Sequence, residues 1–216
     1  MLDQSVSEKA IKLLGINTWK KFQPGAEYTN FVANTYEQIE GKFSADEYQF
    51  SPFARKSFKG KDGWAFASAA DELVAKKLND NIRRLFKVRP SDRHAIVKQT
   101  IALAKDSQPV TIARLDIKDF YESLDRTSIV KFITEEWLLS HQNRMILKQW
   151  DRQLASQGIQ GLPRGMSLSS TLSEIRIRHF DKQMKLDSEV YFYARYVDDI
   201  IVFYSGEQTQ LESMMK

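Results

Sequence analysis

Residues 190–204 read Val-Tyr-Phe-Tyr-Ala-Arg-Tyr-Val-Asp-Asp-Ile-Ile-Val-Phe-Tyr, and their reading decides the fold. Residues 190–197 and 200–204 are aromatic and β-branched runs, the composition of strands. They meet at Asp198-Asp199, which predicts a hairpin. Residues 110–117 (VTIARLDI) predict a third strand. Between them, residues 127–139, 143–155 and 167–186 read as helices, and residues 158–165 as a loop with three glycines and a proline. Upstream, Ala70, Val74, Leu78, Ile82 and Phe86 recur every four residues and predict a helix over 68–86. Pro90 closes it, and Ser91 is placed to cap a further helix through Ala104, with Ile96, Val97, Ile101 and Leu103 as its apolar set. A capping-box pattern at Ser5 and Glu8 predicts a short helix over 7–14, stopped by Gly15. Residues 22–63 show no sustained period and read as irregular with short strands. Helices followed by a strand, helices and a hairpin define an α+β class, with helices backing an antiparallel sheet.

Asp116 follows an apolar strand, and Asp198-Asp199 sit between two apolar runs. Burying carboxylates there is costly unless a cation compensates. Strand ends carrying Asp side by side would make an oxygen-only site of the kind that suits Mg²⁺. Taken alone, the Asp-Asp pair also fits a plain polar turn.

Composition narrows the class. The chain has 216 residues and no cysteine, which excludes disulfides and thiolate metal sites and predicts a cytoplasmic protein. No apolar run is long enough to span a membrane, and the first 16 residues lack the apolar core of a secretory signal. The formal charge of +4, with basic clusters at 56–61 and 83–93, suits a phosphate-bearing partner.

Three motifs then carry a resemblance. Asp116-Ile-Lys-Asp-Phe-Tyr121, Gly161-Leu-Pro-Arg-Gly-Met-Ser-Leu-Ser169 and Tyr196-Val-Asp-Asp199 resemble, in order, the three palm motifs of reverse transcriptases. The resemblance implies a right-hand polymerase fold: an N-terminal extension over 1–67, fingers helices over 68–110, and a palm over 111–216 that lacks the thumb. It implies a Mg²⁺-dependent RNA-directed DNA polymerase with two metal ions, for which Mn²⁺ could substitute. Asp116, Asp198 and Asp199 would be catalytic, and with Ile117 they would form the metal-holding set. Tyr121 would lie under the sugar of the incoming nucleotide and exclude a 2′-hydroxyl. Arg164 and Gly165 would stand beside the nucleotide, whereas Lys87, Arg89 and Arg93 would hold its triphosphate. Arg89 and Arg93 could share one helix face. Ser169 would begin the helix behind the template. Implied partners are an RNA template, a DNA, RNA or protein primer, deoxynucleoside triphosphates, and a further chain supplying the thumb.

The sequence departs from the family pattern at three points. Arg164 replaces the usual Gln, Ser169-Ser170 the usual Ser-Pro, and Glu174 a frequent Asn. The phrasing is similar to bacterial abortive-infection and other defence-associated members. Some of that group polymerise without a template or prime from a protein hydroxyl, so untemplated synthesis remains an alternative. An inert nucleic-acid-binding domain is a third.

Overall fold

The computed structural model describes residues 3–44, 47–58, 60–89, 91–105 and 111–206. Val110, Pro90 and residues 211–216, whose sequence reads as the start of a further helix, lie outside the described residues. The chain divides into two compact units. One holds residues 1–88 and 121–173, the other 89–120 and 174–216.

The first unit is mainly helical. It contains α1 (Glu8–Leu14), α2 (Ile16–Phe22), α3 (Tyr28–Gly41), α4 (Ala69–Leu85), the short α6 (Phe120–Ser123, apart from its first residue), α7 (Arg126–Glu135) and α8 (His141–Ser156). It also contains two antiparallel ribbons, β1 (Phe43–Ser44) with β2 (Glu47–Tyr48), and β3 (Ala54–Phe58) with β4 (Lys61–Ala65). The sequence explains α4 at both ends. Ser68 Oγ accepts a hydrogen bond from Asp71 N at 3.1 Å, acids occupy the first turn, and Arg83 and Arg84 the last. Leu73, Val74, Leu78 and Ile82 are buried along its inner face. Helices α1, α2, α3 and α8 all pack on it. Trp150 of α8 is completely buried.

Three expectations are corrected here. Residues 28–41, expected to be irregular, form α3. Thr, Asn, Tyr and Val are modest helix formers, so local propensity hides this helix, and burial of Phe31, Val32, Thr35 and Ile39 along one face secures it. The cap of α1 is Ser7, whose Oγ accepts from Ala10 N, while Ser5 bonds Asp3 instead. The cap of α5 (Arg93–Ala104) is Asp92, not Ser91, because its carboxylate reaches both His94 N and Ala95 N.

The second unit is built on a three-stranded antiparallel sheet in the order β5 (Thr111–Asp116), β7 (Asp199–Tyr204), β6 (Val190–Tyr196). The predicted hairpin and third strand are both present. One face packs Tyr193, Ile200, Val202, Ala113 and Leu115 against Met184 and Phe180 of α9 (Ser167–Leu186). Helix α5 lies against β6 and, contrary to expectation, buries none of its apolar set; Val97 and Ile101 are about half exposed. A mixed helix-and-sheet architecture with small antiparallel sheets is thus observed.

Replacing Trp150 by Ala should lower stability by about 3–5 kcal/mol, because the vacated volume is enclosed on every side. Denaturant unfolding of the variant checks this.

Candidate active site

Backbone register assembles the acidic residues. In β5–β7, Asp116 is directly opposite Asp199, and in β6–β7 Tyr196 is opposite Asp199. Opposed residues of antiparallel strands share a face. Asp116, Asp199 and Tyr196 therefore lie on one face at one end of the sheet, and Arg114 follows two residues back on β5. Asp198 occupies the two-residue turn with Val197. Ile117 N donates to Asp198 O at 3.1 Å and ties the turn to the end of β5.

The expected burial of these carboxylates is not found. Asp116 is exposed, and Asp198 and Asp199 are half-buried. Their apolar neighbours alternate to the opposite face, where α9 covers them, so the acids reach solvent. Arg114 Nη2 donates to Asp199 Oδ1 at 3.0 Å. The guanidinium of Arg93 lies 5.8 Å from the centre of the Tyr196 ring. Together with Ile96, Val97 and Ile201, these side chains line a cleft of about 270 Å³. Arg89 is exposed and precedes α5, so it does not share a helix face with Arg93.

Carboxylates and a backbone carbonyl are the right donors for Mg²⁺. Their arrangement does not fit the ion. Among the described residues, no three His, Cys, Asp or Glu side chains converge closely enough to hold a metal, and Asp199 is engaged by Arg114.

A second group of expected site residues lies in the helical unit. Arg164 makes a two-pronged ion pair with Glu122, Nε to Oε1 at 2.5 Å and Nη2 to Oε2 at 2.9 Å. Its guanidinium also stands 5.5 Å from the centre of the Tyr121 ring. Gly165 adopts a φ of 92°, open to glycine and strained for other residues. Gly161 has a φ of 58°, and a Cβ there would stand 2.5 Å from Glu122 O. Leu162 N donates to Tyr121 O at 2.8 Å, so the glycine loop is laced to the chain around Tyr121. Ser169 is not the first residue of α9, which starts at Ser167, and it is buried with its Oγ unbonded.

Sequence reasoning missed three arginines. Arg126, buried, donates to Asp151 at 2.5 Å, Ile159 O at 2.6 Å and Gly161 O at 2.8 Å, which pins the glycine loop. Arg114 pairs with Asp199. Arg195, on the α9 side of β6, bonds Glu174 and Asp181. A signal for Arg195 existed: it is a lone charge within an apolar, aromatic strand, and unlike Asp116 it faces inward, toward α9.

Asp181 also accepts from the Tyr193 hydroxyl at 2.6 Å. Burial pushes the Asp181 carboxyl up, but the hydrogen bonds from Arg195 and Tyr193 outweigh it and hold the group below the usual carboxylate range. Burial and Asp181 together push the Tyr193 phenol up.

Residues 67–216, more than half of the chain, match the family model described as reverse transcriptase (RNA-dependent DNA polymerase). The chain belongs to the reverse transcriptase family. It is also similar to a chain of a solved "Partial Cas6-RT-Cas1--Cas2 complex", with 14% identity and a TM-score of 0.41, over 96% of this chain and 38% of that one. A chain of a "Cas6-RT-Cas1--Cas2 complex" matches with the same identity and TM-score, over 96% of this chain and 24% of that one. The present chain thus spans well under half the length of these relatives. No curated protein matches it.

A carboxyl whose pKa is lowered on folding contributes stability above its unfolded pKa, about 4, and loses it as pH falls through the folded value. The stability of the unmodified chain should therefore exceed that of Asp181→Asn by a margin that is constant near neutrality. That margin should shrink as pH falls below about 4. Denaturation midpoints measured from pH 7 to pH 3 check this.

Proposed function

We propose that this chain is the fingers and palm of an RNA-directed DNA polymerase that transfers deoxynucleotides to a primer end. The observation that carries the proposal is the register placing Asp116 opposite Asp199, with Asp198 in the β6–β7 turn beside them, in a chain of the reverse transcriptase family. Residues 1–67 and 68–110 are assigned to the N-terminal extension and fingers, and 111–216 to the palm.

Asp116, Asp198 and Asp199 are assigned the catalytic role. Magnesium, the cation this oxygen chemistry favours, would supply positive charge at the transferred phosphate. The observed side chains do not form its cage, and Asp199 is paired with Arg114. Tyr121 is assigned the sensing of the sugar, with its ring flanked by the Arg164 guanidinium. Arg89 and Arg93 are assigned to phosphate contacts, for which the forked guanidinium is suited. Arg164 is committed to Glu122, so its assignment is to support Tyr121 and the glycine loop, in place of the direct nucleotide contact expected from its position. RNA template, primer and deoxynucleoside triphosphates are the partners of this activity. A place in bacterial antiviral defence rests on the phrasing of the sequence motifs. Of the tyrosines available for protein priming, Tyr48 and Tyr193 are buried and bonded to Asp71 and Asp181, whereas Tyr191 is exposed.

Primer extension with Mg²⁺ and labelled deoxynucleotides, on an RNA template and without one, tests the proposal. Product that copies the RNA supports it. Product without template shows untemplated synthesis, and absence of product in both arms shows an inert domain. Asp116→Ala and Asp198→Ala should each reduce incorporation by at least about a hundredfold, as expected when charge stabilisation of the transition state is lost. Tyr121→Ala should relax discrimination against ribonucleotides, read as the ratio of kcat/KM for matched deoxy- and ribonucleotides.

A further inference from the structure

The hairpin turn that carries Asp198 is held in an unfavourable backbone conformation. Val197 has a φ of 59°, the left-handed region that a β-branched residue avoids. Tyr196 pairs with Asp199, so Val197 and Asp198 alone close the hairpin. The first position of such a turn is ordinarily given to glycine, asparagine or aspartate. Valine persists there only if its surroundings over-determine the turn.

Arg195 supplies that constraint. Its side chain is only 3% exposed. Nε and Nη2 donate to the two carboxylate oxygens of Asp181 at 2.9 and 2.8 Å. Nη1 and Nη2 donate to the two oxygens of Glu174 at 3.1 and 2.7 Å. Glu174 and Asp181 stand about two turns apart on one face of α9 and form a rigid receiver. Nη1 also donates to Val197 O at 2.9 Å. That oxygen belongs to the peptide joining Val197 to Asp198. The next carbonyl, Asp198 O, accepts from Ile117 N. The peptide planes on both sides of Asp198 are therefore anchored, one to α9 through Arg195 and the other to β5.

We propose that Arg195 is a positioning residue: it fixes the Val197–Asp198 peptide and thereby the direction in which the Asp198 carboxylate leaves the turn. The catalytic consequence rests on the polymerase reading of Asp198; the structural consequence does not.

The test uses Arg195→Lys, which keeps one positive charge but cannot bond both carboxylates and the carbonyl at once. Amide hydrogen exchange is followed residue by residue in the full chain. Ile117 N–H should lose protection by about tenfold or more, while amides at the Ile112–Phe203 end of the β5–β7 ladder change little. Adding Val197→Gly, which removes the left-handed penalty, should restore Ile117 protection. Where the chain extends primers, kcat should fall by about a hundredfold with KM for the deoxynucleotide nearly unchanged, and the double variant should recover part of it. Unchanged Ile117 protection would overturn the proposal. So would equal loss along the whole ladder, which marks a plain core role, or failure of Val197→Gly to restore protection. Should Arg195→Lys not fold, Glu174→Gln loosens the same receiver and should lower Ile117 protection selectively, and uniform or absent loss there counts against the proposal. An unmodified chain that makes no product refutes the polymerase reading, and the exchange pattern still decides the role of Arg195.

Discussion

Antiparallel register is the constraint on which the acidic end of this molecule depends. Once β7 pairs with β5 so that Ile200 meets Leu115, Asp199 must meet Asp116, and Tyr196 must lie on the same face. A slip of one residue in β7 would turn Asp199 toward α9, bring Ile200 to the outer face, and separate Asp199 from Asp116. The apolar residues between β5, β7 and α9 thus choose the register, and the register chooses where the carboxylates stand. Packing on one face of the sheet positions chemistry on the other.

The helical unit solves a similar problem by different means. Its glycine loop has no ladder to hold it. Arg126 takes over that task by donating to two loop carbonyls while its own charge is met by Asp151. Leu162 N adds a bond to Tyr121 O. Gly161 completes the fit because the backbone of Glu122 stands where a side chain would begin. The ion pair of Arg164 with Glu122 then orders the side chain beside Tyr121.

Much of this was legible in the sequence. Aromatic and β-branched composition marked the hairpin and β5, and the four-residue period marked α4 because its apolar stripe is unbroken. Helix α3 was hidden because its residues favour helix weakly and its stripe is secured only by tertiary burial. The exposure of Asp116 is not legible from its apolar neighbours, because alternate residues of a strand face opposite ways. The three arginines were not legible as a set: their partners are distant in sequence, and a single arginine carries no periodic signal. The Arg114–Asp199 pair follows only from knowing the register.

The partly buried cluster of Arg195, Glu174 and Asp181 has a consequence for how this molecule can change over generations. Apolar replacements of similar volume at buried ion clusters are often neutral or stabilising, because they avoid stripping charges of water. Selection for stability alone would therefore tolerate or favour losing all three charges together. No apolar side chain can donate to the Val197 carbonyl. Selection for a well-set turn opposes that drift, and because single losses strand an unmatched charge, the three residues are free to vary only as a group. Mutational trajectories through this cluster should be rugged, with viable combinations separated by unstable intermediates.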